Sequence, residues 1–164
     1  MKYIYPKLLF ICLAIAIYCN NKPDKQKKTG TLTPNNKYAL IVKRGVFHND
    51  SFEITKNKIS YTPDSSSSKE VGKYNNYSET FLDTLSTIGF FKKIEADGFW
   101  NLKDTYRSES SCTSQLIITL KVNEKSKTVI CDDFERDCPN LIKYIDRKVV
   151  ELQGNDLNRI YLPG

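Results

Sequence analysis

Leu116-Ile-Ile-Thr-Leu-Lys-Val122, Asn123-Glu-Lys-Ser126 and Lys127-Thr-Val-Ile-Cys-Asp132 form the stretch from which the fold is read. Leu116, Ile118, Leu120 and Val122 alternate with polar or solvent-tolerant residues, the period of a strand buried on one face. Four polar residues turn the chain, and a second β-branched run returns, so the two strands form a hairpin. Beyond it Pro139 opens a segment in which Leu141, Ile145, Val149 and Leu152 share one helical stripe, stopped by Gly154. A one-sided hairpin followed by an amphipathic helix predicts a sheet with a helix laid on it.

Upstream, residues 96–111 make a long polar and aromatic connection holding Gly98-Phe-Trp-Asn101, Asp104, Tyr106 and Arg107. Before it, Ser78 is placed to cap a helix whose apolar stripe is Phe81, Leu82, Leu85 and Ile88, with Gly89 at the stop. Phe90, Phe91 and Ile94 then read as core anchors. Tyr38-Ala-Leu-Ile-Val-Lys-Arg44 is a β-rich run ended by Gly45. Ser51-Phe-Glu-Ile-Thr55 and Lys58-Ile-Ser-Tyr-Thr62 alternate around Asn57 as a hairpin, and the serine-rich run 63–72 is loop. The order β-β-β-α-β-β-α predicts an α+β domain over residues 37–155: an antiparallel sheet of about five strands with two helices on one face. Residues 156–164 are a C-terminal tail.

The other end of the chain carries an address. Lys2 and Lys7 flank a start that runs into Leu8-Leu-Phe-Ile-Cys-Leu-Ala-Ile-Ala-Ile-Tyr18, and Cys19 then meets a polar segment. This is an export signal, too short for a bilayer span of roughly twenty apolar residues. Three readings stand. Residues 1–18 resemble a bacterial lipoprotein signal, with Cys19 acylated, palmitate being one such chain, although Tyr18 replaces the small residue usual there. Alternatively Ala14-Ile-Ala16 serves ordinary secretory cleavage, or the leader stays as an anchor. The lipoprotein reading is the one followed here, with residues 19–36 as a flexible tether to the envelope membrane. That tether has a single aliphatic residue, Leu32, and cannot bury enough apolar surface to offset ordering its backbone.

Charge argues against one class of partner. The chain is +6, but the leader lysines account for two and residues 20–36 for three more. Residues 37–164 are left near +1, so the basic character does not lie on the folded part and no nucleic-acid partner is expected.

Five cysteines occur. With the second hairpin turning at Glu124-Lys125, Cys131 faces Ile118 on the inner side and Cys112 faces Asp137. That arrangement predicts a Cys112–Cys138 disulfide, closing about 25 residues and worth ~3 kcal/mol, with Cys131 a buried thiol. The alternative is no disulfide.

No catalytic, cofactor or metal site is expected. His48 is the one histidine and no Cys-x-x-Cys occurs, which argues against structural zinc. A Cys131–His48 nucleophile pair is less natural than a core cysteine. The acidic runs Glu95-Ala-Asp97 and Cys131-Asp-Asp-Phe-Glu135 lack the ligand ladder of a calcium loop and read as solvated turns. The chain is therefore expected to be non-enzymatic. The competing expectation is a soluble, secreted hydrolase built on Glu95, Asp97, Asp132 and Asp133. Aromatic residues on polar loops are frequent where proteins meet, so Phe47, His48, Phe99 and Trp100 are candidate partner-binding residues. The plain alternative for Phe99 and Trp100 is a lid folded back on the core.

Lys43-Arg-Gly-Val-Phe47, Phe81-Leu-Asp-Thr-Leu-Ser-Thr-Ile-Gly-Phe-Phe91, Leu116-Ile-Ile-Thr-Leu-Lys-Val122, Lys127-Thr-Val-Ile-Cys-Asp-Asp133 and Cys138-Pro-Asn-Leu-Ile-Lys-Tyr-Ile145 together resemble the emfourin pattern. The same order is similar to short exported lipoproteins of Bacteroidota-type bacteria. Emfourins are small protein inhibitors of thermolysin-like metallopeptidases, so the resemblance implies a domain that binds protein, a peptidase being the most specific partner. This chain departs in having one glycine after Arg44, a longer serine loop and an export signal. No inhibitory residue carries over, because these motifs mostly encode fold.

Overall fold

Hydrophobic alternation builds one sheet. The computed structural model of the chain describes residues 36–45, 49–63, 76–109, 114–133 and 137–154, all within one unit of residues 34–164. In order, the elements are β1 (Tyr38–Gly45), β2 (Ser51–Ile54), β3 (Lys58–Thr62), β4 (Ser78–Phe81), α1 (Thr84–Ala96), a 3-10 turn (Phe99–Asn101), β5 (Thr105–Tyr106), β6 (Gln115–Val122), β7 (Lys125–Cys131) and α2 (Asn140–Gln153). The α+β class therefore holds. The sheet is larger than expected, with seven strands in the order β4-β3-β2-β1-β6-β7-β5, and it is mixed, because β5 runs parallel to β7.

The alternate residues Leu40, Val42, Phe52, Ile54, Ile59, Leu116, Ile118 and Leu120 are fully buried on one face. Both helices pack there: Phe91 of α1 stacks on Tyr38 with centroids 4.8 Å apart, and Ile142, Ile145 and Val149 of α2 join the same core. Fully burying one such side chain stabilises by about 1.5–3 kcal/mol. Gln153, 1% exposed, ties α2 to β4: its Nε2 donates to Ser78 Oγ at 2.7 Å and its carbonyl accepts from Thr80 Oγ1 at 2.8 Å.

Three local expectations are corrected. The first helix begins at Thr84, not after Ser78, because Asp83 is the better cap: its carboxylate accepts from the Ser86 N–H at 2.8 Å. Residues 78–81 instead pair with β3. Gly89 does not stop the helix, which runs on through the buried Phe90, Phe91 and Ile94 to Ala96. Its true inward stripe is Thr87, Phe90, Phe91 and Ile94.

The hairpin turn is displaced as well. Val122 faces Lys125, so Asn123 and Glu124 make the turn, with Asn123 at φ 55°. Asparagine tolerates that region, and its Oδ1 accepts from the Lys37 N–H at 3.0 Å, clamping the turn to the start of β1. The two-residue shift keeps every side chain on its expected face but moves Cys131 opposite Leu116. Cys138 is consequently bonded to Cys131, with Cα atoms 5.9 Å apart, and not to Cys112. Cys131 is half of a buried disulfide rather than a free thiol.

Candidate functional site

The aromatic loop divides between core and surface. Gly98, at φ 92°, lets the chain reverse after α1. The following 3-10 turn drives Phe99 fully into the core, which removes it as a contact residue. Trp100 is half-buried beside it, the two rings meeting edge-on at 6.1 Å. Its Nε1 donates to Glu95 Oε1 at 3.0 Å, and the Lys125 ammonium lies 3.8 Å from the ring centroid. Phe47, His48, Cys19, Cys112, the leader, residues 20–35 of the tether and the tail lie outside the described residues.

The surface that does stand out includes two residues, Phe81 and Leu85, that the sequence pattern assigns to a core. Among the described residues the exposed large apolar side chains are Tyr77, Phe81 and Leu85, at 57%, 81% and 77% exposure. They fall within nine residues of chain: Tyr77 just before the outermost strand β4, Phe81 at its end and Leu85 in the first turn of α1. Helical numbering had put Phe81 and Leu85 on one inward stripe. Phe81 faces Lys58 across the ladder, on the sheet face opposite the helices.

Backbone polarity makes this edge receptive. The Leu82 N–H donates to the Asn57 carbonyl at 2.8 Å, so even-numbered residues of β4 face β3. The backbone groups of Glu79 and Phe81 therefore point away from the sheet, where β4 has no neighbouring strand among the described residues. Lys58 Nζ bonds Glu79 Oε1 at 2.6 Å, and the Tyr77 hydroxyl donates to the same oxygen. The Lys58 bond, then the Tyr77 bond, holds the Glu79 carboxyl below its ordinary range. Glu79 in turn raises both Lys58 and Tyr77. The edge thus carries two aromatic rings, Tyr77 and Phe81, beside one fixed, compensated charge, and Leu85 is exposed on the helix that follows.

The four carboxylates of the hydrolase alternative occupy separate settings. Glu95 accepts from Trp100, Asp97 pairs with Lys93 at 2.7 Å, and Asp132 accepts from Gln115 Nε2 at 2.9 Å. Asp133 is buried, with its carbonyl accepting from the Asp137 N–H at 3.0 Å. Among the described residues no three or more of His, Cys, Asp and Glu gather in a group that could hold a metal ion. No helix among them is long and apolar enough to cross a membrane. The chain matches no protein-family model and no curated protein sequence.

Proposed function

We propose that this chain is an exported envelope protein, lipid-anchored at Cys19, whose domain binds another protein rather than catalysing a reaction. The observation that carries the reading is the exposure of Tyr77 and Phe81 at a sheet edge with no neighbouring strand among the described residues, with Leu85 exposed at the start of the helix that follows. Large apolar side chains turned to solvent beside open backbone donors and acceptors are unfavourable in isolation. A partner strand covers both at once, pairing with the backbone and burying the rings. The emfourin resemblance makes a thermolysin-type peptidase the most specific partner.

The test is site-directed photocrosslinking in intact cells that produce the full-length chain. A crosslinker at position 81 or 85 should yield one discrete protein adduct, and a crosslinker at the exposed Lys121 should not. Purified protein should also inhibit a thermolysin-type peptidase stoichiometrically, with Phe81→Asp abolishing inhibition while leaving the melting temperature unchanged. Equal labelling at 81 and 121, or none at either, removes the β4 edge as the binding surface. Inhibition untouched by Phe81→Asp removes it as the inhibitory surface.

A further inference from the structure

We propose that the opposite edge of the sheet is a second docking strand, independent of β4, which takes an extended acidic peptide into the groove beside β7. The argument starts from how little of β7 its outer neighbour covers. β5 pairs with it only at Thr105↔Ile130 and Tyr106↔Cys131. There the Ile130 N–H donates to the Asp104 carbonyl at 2.9 Å and the Asp132 N–H to the Tyr106 carbonyl at 3.0 Å. Even-numbered residues of β7 thus face away from β6. Ser126 and Thr128 share that orientation, both are exposed, and no strand lies beside them among the described residues.

Upstream of β5 the chain parts from β7 and leaves a cavity of about 560 Å³, lined by Trp100, Asp104, Lys125, Ser126, Lys127 and Thr128 among others. The backbone N–H and C=O groups of Ser126 and Thr128 open into it at the spacing of a strand, which an extended peptide complements. Charge selects the peptide. Lys127 is paired with Asp104 at 2.6 Å, whereas Lys125 rests on the Trp100 ring with no carboxylate ion-paired to it among the described residues. The groove lining therefore holds two lysines against one aspartate, and an acidic side chain on the incoming strand pairs with Lys125.

Trp100 is the only tryptophan in the chain, so its fluorescence reports this groove alone. The probe is a blocked ten-residue peptide of alternating threonine and glutamate, titrated into the full-length protein in detergent. Expected are a saturable shift in Trp100 emission and slowed amide exchange at Ser126 and Thr128. The edge-facing substitution Ser126→Pro removes one donor without touching the β6 ladder and should weaken binding roughly tenfold. Lys125→Glu should weaken it at least as much. Because a variant can misfold, the same peptide N-methylated at alternate residues is also titrated into the unaltered protein, where it should fail to bind. The proposal falls if emission does not saturate, or if the N-methylated or lysine-for-glutamate peptide binds equally well. Protection of Glu79 and Phe81 amides instead would place the peptide on β4 and overturn the β7 assignment alone. Saturation by a neutral saccharide that Ser126→Pro leaves intact would reassign the groove.

Discussion

At the residue scale, two charged groups hold the ends of elements in place. Arg44 closes β1 onto Asp50: its Nε donates to Oδ1 at 2.7 Å and its Nη2 to Oδ2. Their side chains are only 10% and 4% exposed. Removing Arg44 takes away the cation that compensates the buried Asp50 carboxylate, so Arg44→Ala should destabilise the domain by about 3–5 kcal/mol in denaturant unfolding. The double replacement Arg44→Leu with Asp50→Leu should recover most of that loss, because neither charge is then buried alone. Asp83 works at the surface. Bonds from the Ser86 backbone hold its carboxyl below the usual range. A lowered folded value means its contribution is fully present above the unfolded value and is lost as pH falls through the folded one. The melting temperature should therefore drop as pH falls below the ordinary aspartate range of about 4, and Asp83→Asn, which keeps a capping oxygen without the titration, should flatten part of that drop. The sequence disclosed neither role in advance. Nothing in the sequence pairs Arg44 with Asp50, and the sequence pattern assigns the helix cap to Ser78.

At the element scale, the strands with one buried face were readable because period-two alternation is a direct consequence of burial. β2, β3 and β6 carry it, whereas β1 and β7 are legible as β-rich runs. β4 and β5 show neither, for a physical reason: an edge strand of four residues, or two, buries too little to leave a pattern. Phe81, Leu82, Leu85 and Ile88 imitated a helical stripe because the strand end and the helix start happened to abut. Half of that imitation, Phe81 and Leu85, is exposed, the one at the strand edge and the other on the helix. The candidate site was thus hidden in residues whose apolar character argued for a core. Gly89 was misread for a similar reason, since glycine usually marks a stop. It sits exposed inside α1, and a Cβ added there meets nothing within 4 Å. Gly89→Ala should raise stability by about 0.5–1 kcal/mol, measured by chemical denaturation, through the entropy of the unfolded chain. A destabilising Gly89→Ala would contradict the helix boundaries given above.

At the scale of the whole molecule, one mass measurement addresses both covalent expectations. Mature protein taken from its native membrane should begin at an acylated Cys19; a lipid-free start after Ala16 would replace the anchored reading with a secreted one. Peptide mapping without reduction should recover the 131–138 pair. Closing so short a loop constrains the unfolded chain by about 2–2.5 kcal/mol, so reduction should lower the melting temperature with no loss of the sheet. The central place of β1 carries a further, mechanical consequence. β1 is hydrogen-bonded to β2 on one side and β6 on the other, and Asn123 grips Lys37 at its first turn. Any pull transmitted through the chain before residue 36 enters at the middle of the sheet. It is borne by two antiparallel ladders loaded together, lengthwise, instead of peeling one edge strand bond by bond. A domain held by its N-terminus would therefore keep both outer edges, and whatever they grip, out of the line of force.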